Sequence, residues 1–483
     1  MRRTGLSMSL LIATLALPSL ALAGARPSVM GAQPKPAPMP AWTPPVPQVS
    51  TTAGGTQVIV LPRSEVPLVH IAVLVRAGAE SDPPTRAGLS AAVATMLQEG
   101  GAGKLGGPEL AQAFAALGDE LQQRPTRDGV VLGLTVQTRN LDKALALLGD
   151  LLVRPRFDAA EWTRARARIV SELTRHRDEP RDIVEVVSAR ALYGDDHPYG
   201  RPLRGTPESI GAITIEELRS FYGKSYGPKT VTFLLAGDVA PAEATRLVGA
   251  ALSGWTSAAL PPPPPATAKP GPGRLVLVDK PGAPQSEVRV GHIAIARASS
   301  DFPSAQVIQM VLGGSFTSRL VQNLREKHGY TYGVSARYMT ARAPGPFVVH
   351  SAIRTDVTAP AMKELIDELA RIHQPLAPAE LDKARALLGN NLVEGFSEGG
   401  ATVELIGDLA LHDLPLDGWS KQVAALAALT PASVAKASTT LVAPSEELTA
   451  VVVGDLAKIE APLRALKIWK TVEHRDVDGK LLP

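Results

Sequence analysis

The side chains that could do covalent or metal chemistry are few and scattered. The nine histidines are His70, His176, His197, His292, His328, His350, His373, His412 and His474, and no two lie within five residues of each other. A histidine pair at i and i+4, the usual way for one helix to grip zinc, therefore occurs nowhere in the chain. The 483 residues include no cysteine, which excludes thiolate nucleophiles, cysteine zinc sites, disulfides and lipid attachment through an N-terminal cysteine. No G-x-S-x-G elbow is present. Residues 100–104 (GGAGK) lack both the spacing of a phosphate-binding loop and the Ser/Thr after its lysine. What stays open is a site assembled from distant residues, such as His176 or His197 with Glu172.

The stretch at 86–101, RAGLSAAVATMLQEGG, is where one helix should carry such chemistry. Leu89, Ala92, Val93, Met96 and Leu97 recur with the spacing of an amphipathic helix that faces a core. Its other face carries Ala91, Ala94 and Thr95, small side chains with almost no chemistry. Around it, strands are expected at 57–61 and 69–75 about a turn at Arg63-Ser64, and at 129–136, 230–236, 274–279 and 287–293. Helices are expected at 108–117, 141–153, 159–176, 181–192 and 215–222. The run TRARAR at 163–168 reads as a basic helical stripe facing solvent or a partner.

Two segments repeat. AEWTRARARIVSEL (160–173) resembles AELDKARALLGNNL (379–392), and TVTFLLAGDVA (230–240) resembles LTAVVVGDLA (448–457). The offsets are 219 and 217 residues, so a unit near 218 residues is duplicated in tandem. Between the copies lie five prolines at 261–265 and KPGPG at 269–273, which favour an extended, semi-rigid linker. The expected organisation is a signal peptide (1–23), a Pro-rich leader (24–50), a first domain (51–257), the linker (258–273), a second domain (274–470) and a tail (471–483). Each unit mixes strands joined directly and through helices, an α+β pattern with helices on one face of a sheet.

The N-terminus reads as an export signal. Arg2 and Arg3 precede an apolar run at 10–22, broken by Pro18 and ending in Ala21-Leu22-Ala23, a small-x-small cleavage pattern. The run is too short to span a bilayer. A periplasmic or secreted protein without a membrane anchor is expected. The formal charge of +3 falls to +1 without the two arginines, so bulk charge gives nucleic-acid binding no support.

Over residues 55–460 the chain resembles the pitrilysin/insulinase group of zinc metallopeptidases, in its processing-peptidase-like branch. Aligned through Ala87-Gly88-Leu89 and Met96-Leu97, the group's His-x-x-Glu-His falls on Ala91, Ala92, Val93, Ala94 and Thr95. Both histidine ligands and the glutamate base are replaced. The resemblance puts the group's third ligand at Glu172, in register and followed by Asp178-Glu179-Pro180; alternatively Glu172 is an exposed helix residue that pairs with an arginine such as Arg168 or Arg175. His197-Pro198-Tyr199-Gly200, Gly205-Thr206 and Ser209-Ile210 match the segment after it. The strongest match is Gly313-Gly314-Ser315, Ser318-Arg319-Leu320, Leu324-Arg325-Glu326 and Gly329-Tyr330-Thr331-Tyr332-Gly333.

The resemblance implies an antiparallel-rich sheet with helices on one face in each domain, the two forming a two-lobed half-shell. It implies that Arg325 and Tyr332 reach a peptide substrate; alternatively Arg325 pairs with a nearby carboxylate and Tyr332 packs in the core. It further implies a non-catalytic subunit that pairs with an active zinc-bearing homologue, or with itself, and encloses peptides. Zinc is then expected only in the active partner. The other readings are an active metalloendopeptidase with a non-standard metal site and a peptide-binding scaffold with no peptidase partner.

Overall fold

Alternation of apolar and less buried residues defines the strands. In VVLGLTVQ the inward positions are Val130, Leu132, Leu134 and Val136, each at most 4% exposed. VTFLLAG at 231–237 is buried at every position, as a strand covered on both faces must be. The computed structural model describes residues 42–257, 259–260, 262, 265–268 and 271–483. The expected signal peptide and the leader up to residue 41 lie outside the described residues.

The fold is α+β, with two six-stranded sheets in residues 43–483. The strands of the first half are β1 (Gln48–Thr51), β2 (Gln57–Pro62), β3 (Leu68–Val75), β4 (Gln122–Pro125), β5 (Val130–Gln137) and β6 (Val231–Gly237), in the order β1-β2-β6-β3-β5-β4. Those of the second are β7 (Leu275–Asp279), β8 (Gln285–Ile295), β9 (Thr331–Tyr338), β10 (Gly345–Arg354), β11 (Thr449–Gly454) and β12 (Val472–His474), in the order β12-β7-β11-β8-β10-β9. Five of the six positions correspond (β2 with β7, β6 with β11, β3 with β8, β5 with β10 and β4 with β9), as a duplication requires; the remaining edge does not, because β1 runs antiparallel to β2 and β12 parallel to β7. Only β2·β6, β7·β11 and β7·β12 are parallel.

The helices of the first half are α1 (Leu89–Glu99), α2 (Gly107–Ala115), α3 (Leu141–Val153), α4 (Ala159–His176), α5 (Pro180–Tyr193), α6 (Pro207–Ala212), α7 (Ile215–Ser225) and α8 (Pro241–Ala251). Those of the second are α9 (Phe302–Leu312), α10 (Thr358–Arg371), α11 (Pro378–Ser397), α12 (Gly399–Leu411), α13 (Gly418–Ala428), α14 (Pro431–Leu441) and α15 (Leu456–Ala465). In each half most helices cover one face of the sheet. The opposite face is covered by a helix from the other half. Ile183, Val184, Val187 and Ala191 of α5 pack on Val276, Val278, Val451 and Val453 of the second sheet. Reciprocally, α12 lies on β3 and β6 of the first sheet. Each buried aliphatic side chain in such a contact stabilises it by roughly 1.5–3 kcal/mol.

Three details differ from the expectation. The strands at 57–62 and 68–75 are not neighbours, because β6 lies between them and pairs parallel with β2. Residues 48–50, assigned to the leader, belong to β1, which pairs with β2 and is tied to α8 by Ser50 and Thr245 hydroxyls 2.5 Å apart. Residues 472–474, assigned to the tail, form β12 at one edge of the second sheet. Both strands are too short to show a period, and only their partners reveal them.

Candidate functional site

Helix α1 is positioned from its N-terminus. Asp82 accepts hydrogen bonds from the backbone N–H groups of Gly88 and Ser90, each 2.8 Å long. Gly88 has φ +87°, and a Cβ there would meet the Arg204–Gly205 backbone at 2.7 Å. Ser209 Oγ donates to the Ala87 carbonyl at 2.8 Å. The two retained motifs, Ala87-Gly88-Leu89 and Gly205-Thr206 with Ser209, are thus two sides of one close backbone contact.

The positions of the missing metal motif do not form an open outer face. Ala91 and Thr95 are each 8% exposed and Ala94 is fully buried, against the expectation of a bland outer face. The cause is packing: α1 contacts α7, β4, α2 and α4 and is enclosed on all sides. Thr95 Oγ1 donates back to the Ala91 carbonyl at 3.1 Å, so its hydroxyl is satisfied within the helix. Arg168 of α4 reaches Glu99 of α1 at 2.5 Å. One turn further along α4, Glu172 is gripped by Arg204 through two hydrogen bonds of 2.8 and 3.1 Å. That hydrogen-bonded guanidinium holds the Glu172 carboxyl below its ordinary range.

These residues do not fit a zinc ion. The two histidine positions that the resemblance implies carry alanine and threonine, and the carboxylate at the third is committed to Arg204 rather than to either histidine expected beside it, His176 or His197. His176 Nε2 lies 4.0 Å from Glu172 and its Nδ1 3.5 Å from Asp182. His197 is elsewhere, with Nδ1 accepting from Tyr199 N and Nε2 3.4 Å from the Ala266 carbonyl of the linker. Among the described residues no three His, Cys, Asp or Glu side chains converge as a metal site.

The second-half motif divides into a buried frame and an exposed cluster. A Cβ at Gly313 would meet Ala336 N of β9 at 2.3 Å, so the loop after α9 presses on the strand. Arg319 makes two 2.8 Å bonds to Glu380, and Leu320 and Leu324 are fully buried. The turn Val321–Lys327 is π-helical, a widening that often re-aims side chains. It presents Arg325, whose guanidinium carbon lies 5.2 Å from the Tyr332 ring centroid and 5.7 Å from that of Phe316. Tyr332 is 87% exposed and Phe316 80%. Tyr332 is therefore not a core aromatic. The carboxylate beside Arg325 is its chain neighbour Glu326, at 3.4 Å. Phe316 has no sequence signal beyond its place in the Gly/Ser/Thr-rich loop.

Between the halves lies a chamber of about 1700 Å³. Ala91, Ala94, Thr95, Glu172, Arg325 and Tyr332 are not in its wall. One side of it is a polar clasp between the halves. Asp128 accepts from the Tyr199 hydroxyl and from Arg342 N, and lies 3.5 Å from His412 Nε2. His412 Nδ1 is 3.2 Å from Asp408, which accepts from Arg297 at 2.8 Å. Glu80 pairs with Arg342 at 2.6 Å. The Tyr199 hydroxyl also accepts from Ala343 N at 3.3 Å, so the motif His197-Pro198-Tyr199-Gly200 bridges the two halves through Tyr199.

Comparison with known proteins agrees with this fold. Residues 58–207 match the model of the insulinase family (peptidase family M16), and residues 212–388 match that of the peptidase M16 inactive domain. The chain is 26% identical over 368 residues to an uncharacterized zinc protease of Mycobacterium leprae, covering 75% of this chain and 82% of that one. It is 25% identical over 395 residues to another from Streptomyces coelicolor, covering 79% and 84%. A peptidase M16 inactive domain from Pseudomonas fluorescens has a similar fold, with TM-score 0.76 and 24% identity over 84% of this chain and 98% of that one. So has a protease from Helicobacter pylori, with TM-score 0.79 and 18% identity over 85% and 99%.

Proposed function

The chain belongs to the insulinase (M16) family, and we propose that it acts there as the non-catalytic subunit of a periplasmic or secreted metallopeptidase. It pairs with an active zinc-bearing homologue, and the two enclose and position peptide substrates. The observation that carries this reading is a contrast within one molecule. The positions for metal chemistry hold small buried side chains, with Glu172 locked to Arg204. The Phe316–Arg325–Tyr332 cluster is displayed to solvent and serves no core.

In such a complex Arg325 donates to a peptide carbonyl or carboxylate, with its guanidinium pre-oriented between two rings. The Tyr332 hydroxyl donates to a carbonyl oxygen and its ring packs on the peptide. Zinc in the partner supplies the activated water, and this subunit supplies orientation.

The test is to assay peptide cleavage by the isolated chain, by a homologue carrying His-x-x-Glu-His, and by the mixture. Activity is expected in the mixture, with zinc bound only by the homologue. Arg325→Ala and Tyr332→Ala are each expected to lower kcat/KM of the mixture about 10–100-fold, the equivalent of 1.4–2.8 kcal/mol. Stoichiometric zinc and cleavage by the isolated chain overturn the proposal. Failure to associate with any such homologue leaves the scaffold reading in its place.

A further inference from the structure

The π turn at 321–327 is the common support of the exposed cluster. It carries Arg325 itself. Gln322 Nε2 donates to the Phe316 carbonyl at 3.3 Å. Gly329, at φ +63°, ends the turn and leads through Tyr330 into β9, which carries Tyr332. What fixes the turn therefore fixes where Arg325 stands between the two rings.

The inner side of the turn rests on one amide. Asn323 is 7% exposed, and its Nδ2 donates to Glu364 Oε2 and Glu368 Oε1 of α10, both at 2.9 Å. Both of its N–H groups are thereby used. The Asn323 carbonyl also accepts the widened bond from His328 N, five residues on, at 3.2 Å. Side chains two positions apart on a helix do not share a face. Asn323 turned to α10 thus leaves Arg325 turned away from it.

The amide serves its hydrogen bonds and not the volume it fills. Asn323 Oδ1 is buried with no hydrogen-bond partner among the described residues, a cost that leucine, of similar size, does not carry. Glu364 and Glu368 stand at i and i+4 on α10, where two carboxylates repel. Burial pushes Glu368 up, but Arg371 and the Asn323 amide outweigh it and hold it below its ordinary range. Two adjoining carboxylates call for a neutral side chain with two N–H groups, which neither leucine nor aspartate supplies.

We propose that Asn323 is a positioning residue: its bonds to Glu364 and Glu368 hold the π turn so that Arg325 stands between Phe316 and Tyr332. The geometry stands on these contacts alone, whereas its weight in peptide turnover rests on the function proposed above.

Two measurements test it. The first uses the isolated full chain with isotope-labelled arginine. The Arg325 side-chain signals, identified by their loss in Arg325→Lys, are expected upfield of those of an exposed arginine, because two rings shield them. In Asn323→Leu that displacement is expected to vanish. In Asn323→Asp it is expected to vanish too, since a third carboxylate replaces the donor. Combining Asn323→Asp with Glu364→Gln and Glu368→Gln exchanges donor and acceptors and is expected to restore it. A side chain that only fills space gains nothing from that exchange.

The second measurement uses the mixture with the zinc-bearing homologue. Asn323→Leu is expected to lower kcat/KM about tenfold or more. Joined to Arg325→Ala, it is expected to add less than about twofold to the loss from Arg325→Ala alone, because both remove one interaction.

Parent-like Arg325 signals in Asn323→Leu overturn the proposal. So does failure of the exchange to restore them, or losses from Asn323→Leu and Arg325→Ala that multiply. If the mixture does not cleave peptides, the function proposed above fails and the first measurement alone decides this one. If neither single Asn323 variant folds, Glu364→Ala, which removes one acceptor, is read instead, and parent-like signals there overturn the proposal.

Discussion

Glu172 is where the resemblance places the one remaining ligand of the family's metal set, and its surroundings show what its carboxylate does. Its carboxylate holds Arg204, which adjoins the Gly88–Gly205 contact that seats α1. The carboxylate therefore serves as a structural anion. Restoring histidines is therefore not expected to restore a zinc site. In Ala91→His/Thr95→His, two imidazoles enter positions that are each 8% exposed, at a cost of about 1–3 kcal/mol apiece from overpacking. Less than stoichiometric zinc is expected while Arg204 competes for the carboxylate. Adding Arg204→Ala frees Glu172 and is expected to raise zinc occupancy, measured by elemental analysis after dialysis. Equal occupancy with and without Arg204 would refute this account. The absence of a histidine pair was legible in the sequence. The Arg204 pairing was not, because 32 residues separate the partners and no local pattern links them. Nor was the role of Phe316, since a lone aromatic in a loop has no period.

Among the elements, periodicity identified six of the eight helices and the four central strands of the first half, but not the surface each one meets. Helix α5 shows an apolar stripe at Ile183, Val184, Val187 and Ala191, yet nothing in that spacing directs it to the sheet of the other half. The matching helix α12 makes the mirror contact, and its first residue reveals how close it is. A Cβ at Gly399 would meet the His70 ring of β3 at 2.0 Å. That ring is fixed by a 3.0 Å hydrogen bond from Nδ1 to the Thr135 hydroxyl of β5. In Gly399→Ala the imidazole must leave, breaking that bond and lifting the start of α12 from the sheet. A loss of about 1–3 kcal/mol is expected by denaturant unfolding. Gly400 is the control, since a Cβ there meets His70 at an ordinary 3.8 Å. Equal stability of the two alanine variants would show that α12 does not press on β3 as described.

For the molecule as a unit, the consequence of duplication is that neither half covers both faces of its own sheet. The halves are joined by exchanged helices and by the clasp around His412, and the clasp makes their union sensitive to pH. Burial pulls the His412 imidazole down, but hydrogen bonds to Asp128 and Asp408 override it and push it up to about 9. A raised cationic group stabilises the folded state fully below its unfolded value, 6.5, and that contribution is lost as pH climbs through about 9. Glu80 acts in the same direction at lower pH. Burial, opposed by Arg342, raises its carboxyl to about 7, so its contribution to stability falls between 4.5 and about 7. Asp128 and Asp408 run the other way, because partners outweigh burial and hold both below the ordinary range; their contribution is lost only in acid. Stability is therefore expected to decline from pH 6.5 to 9, with about 3 kcal/mol as the ceiling for the His412 share. His412→Gln should lower stability at pH 6.5 and flatten that decline, as read from denaturant midpoints across the range. If the variant loses stability between pH 6.5 and 9 as steeply as the parent, the charge on His412 is not what joins the halves.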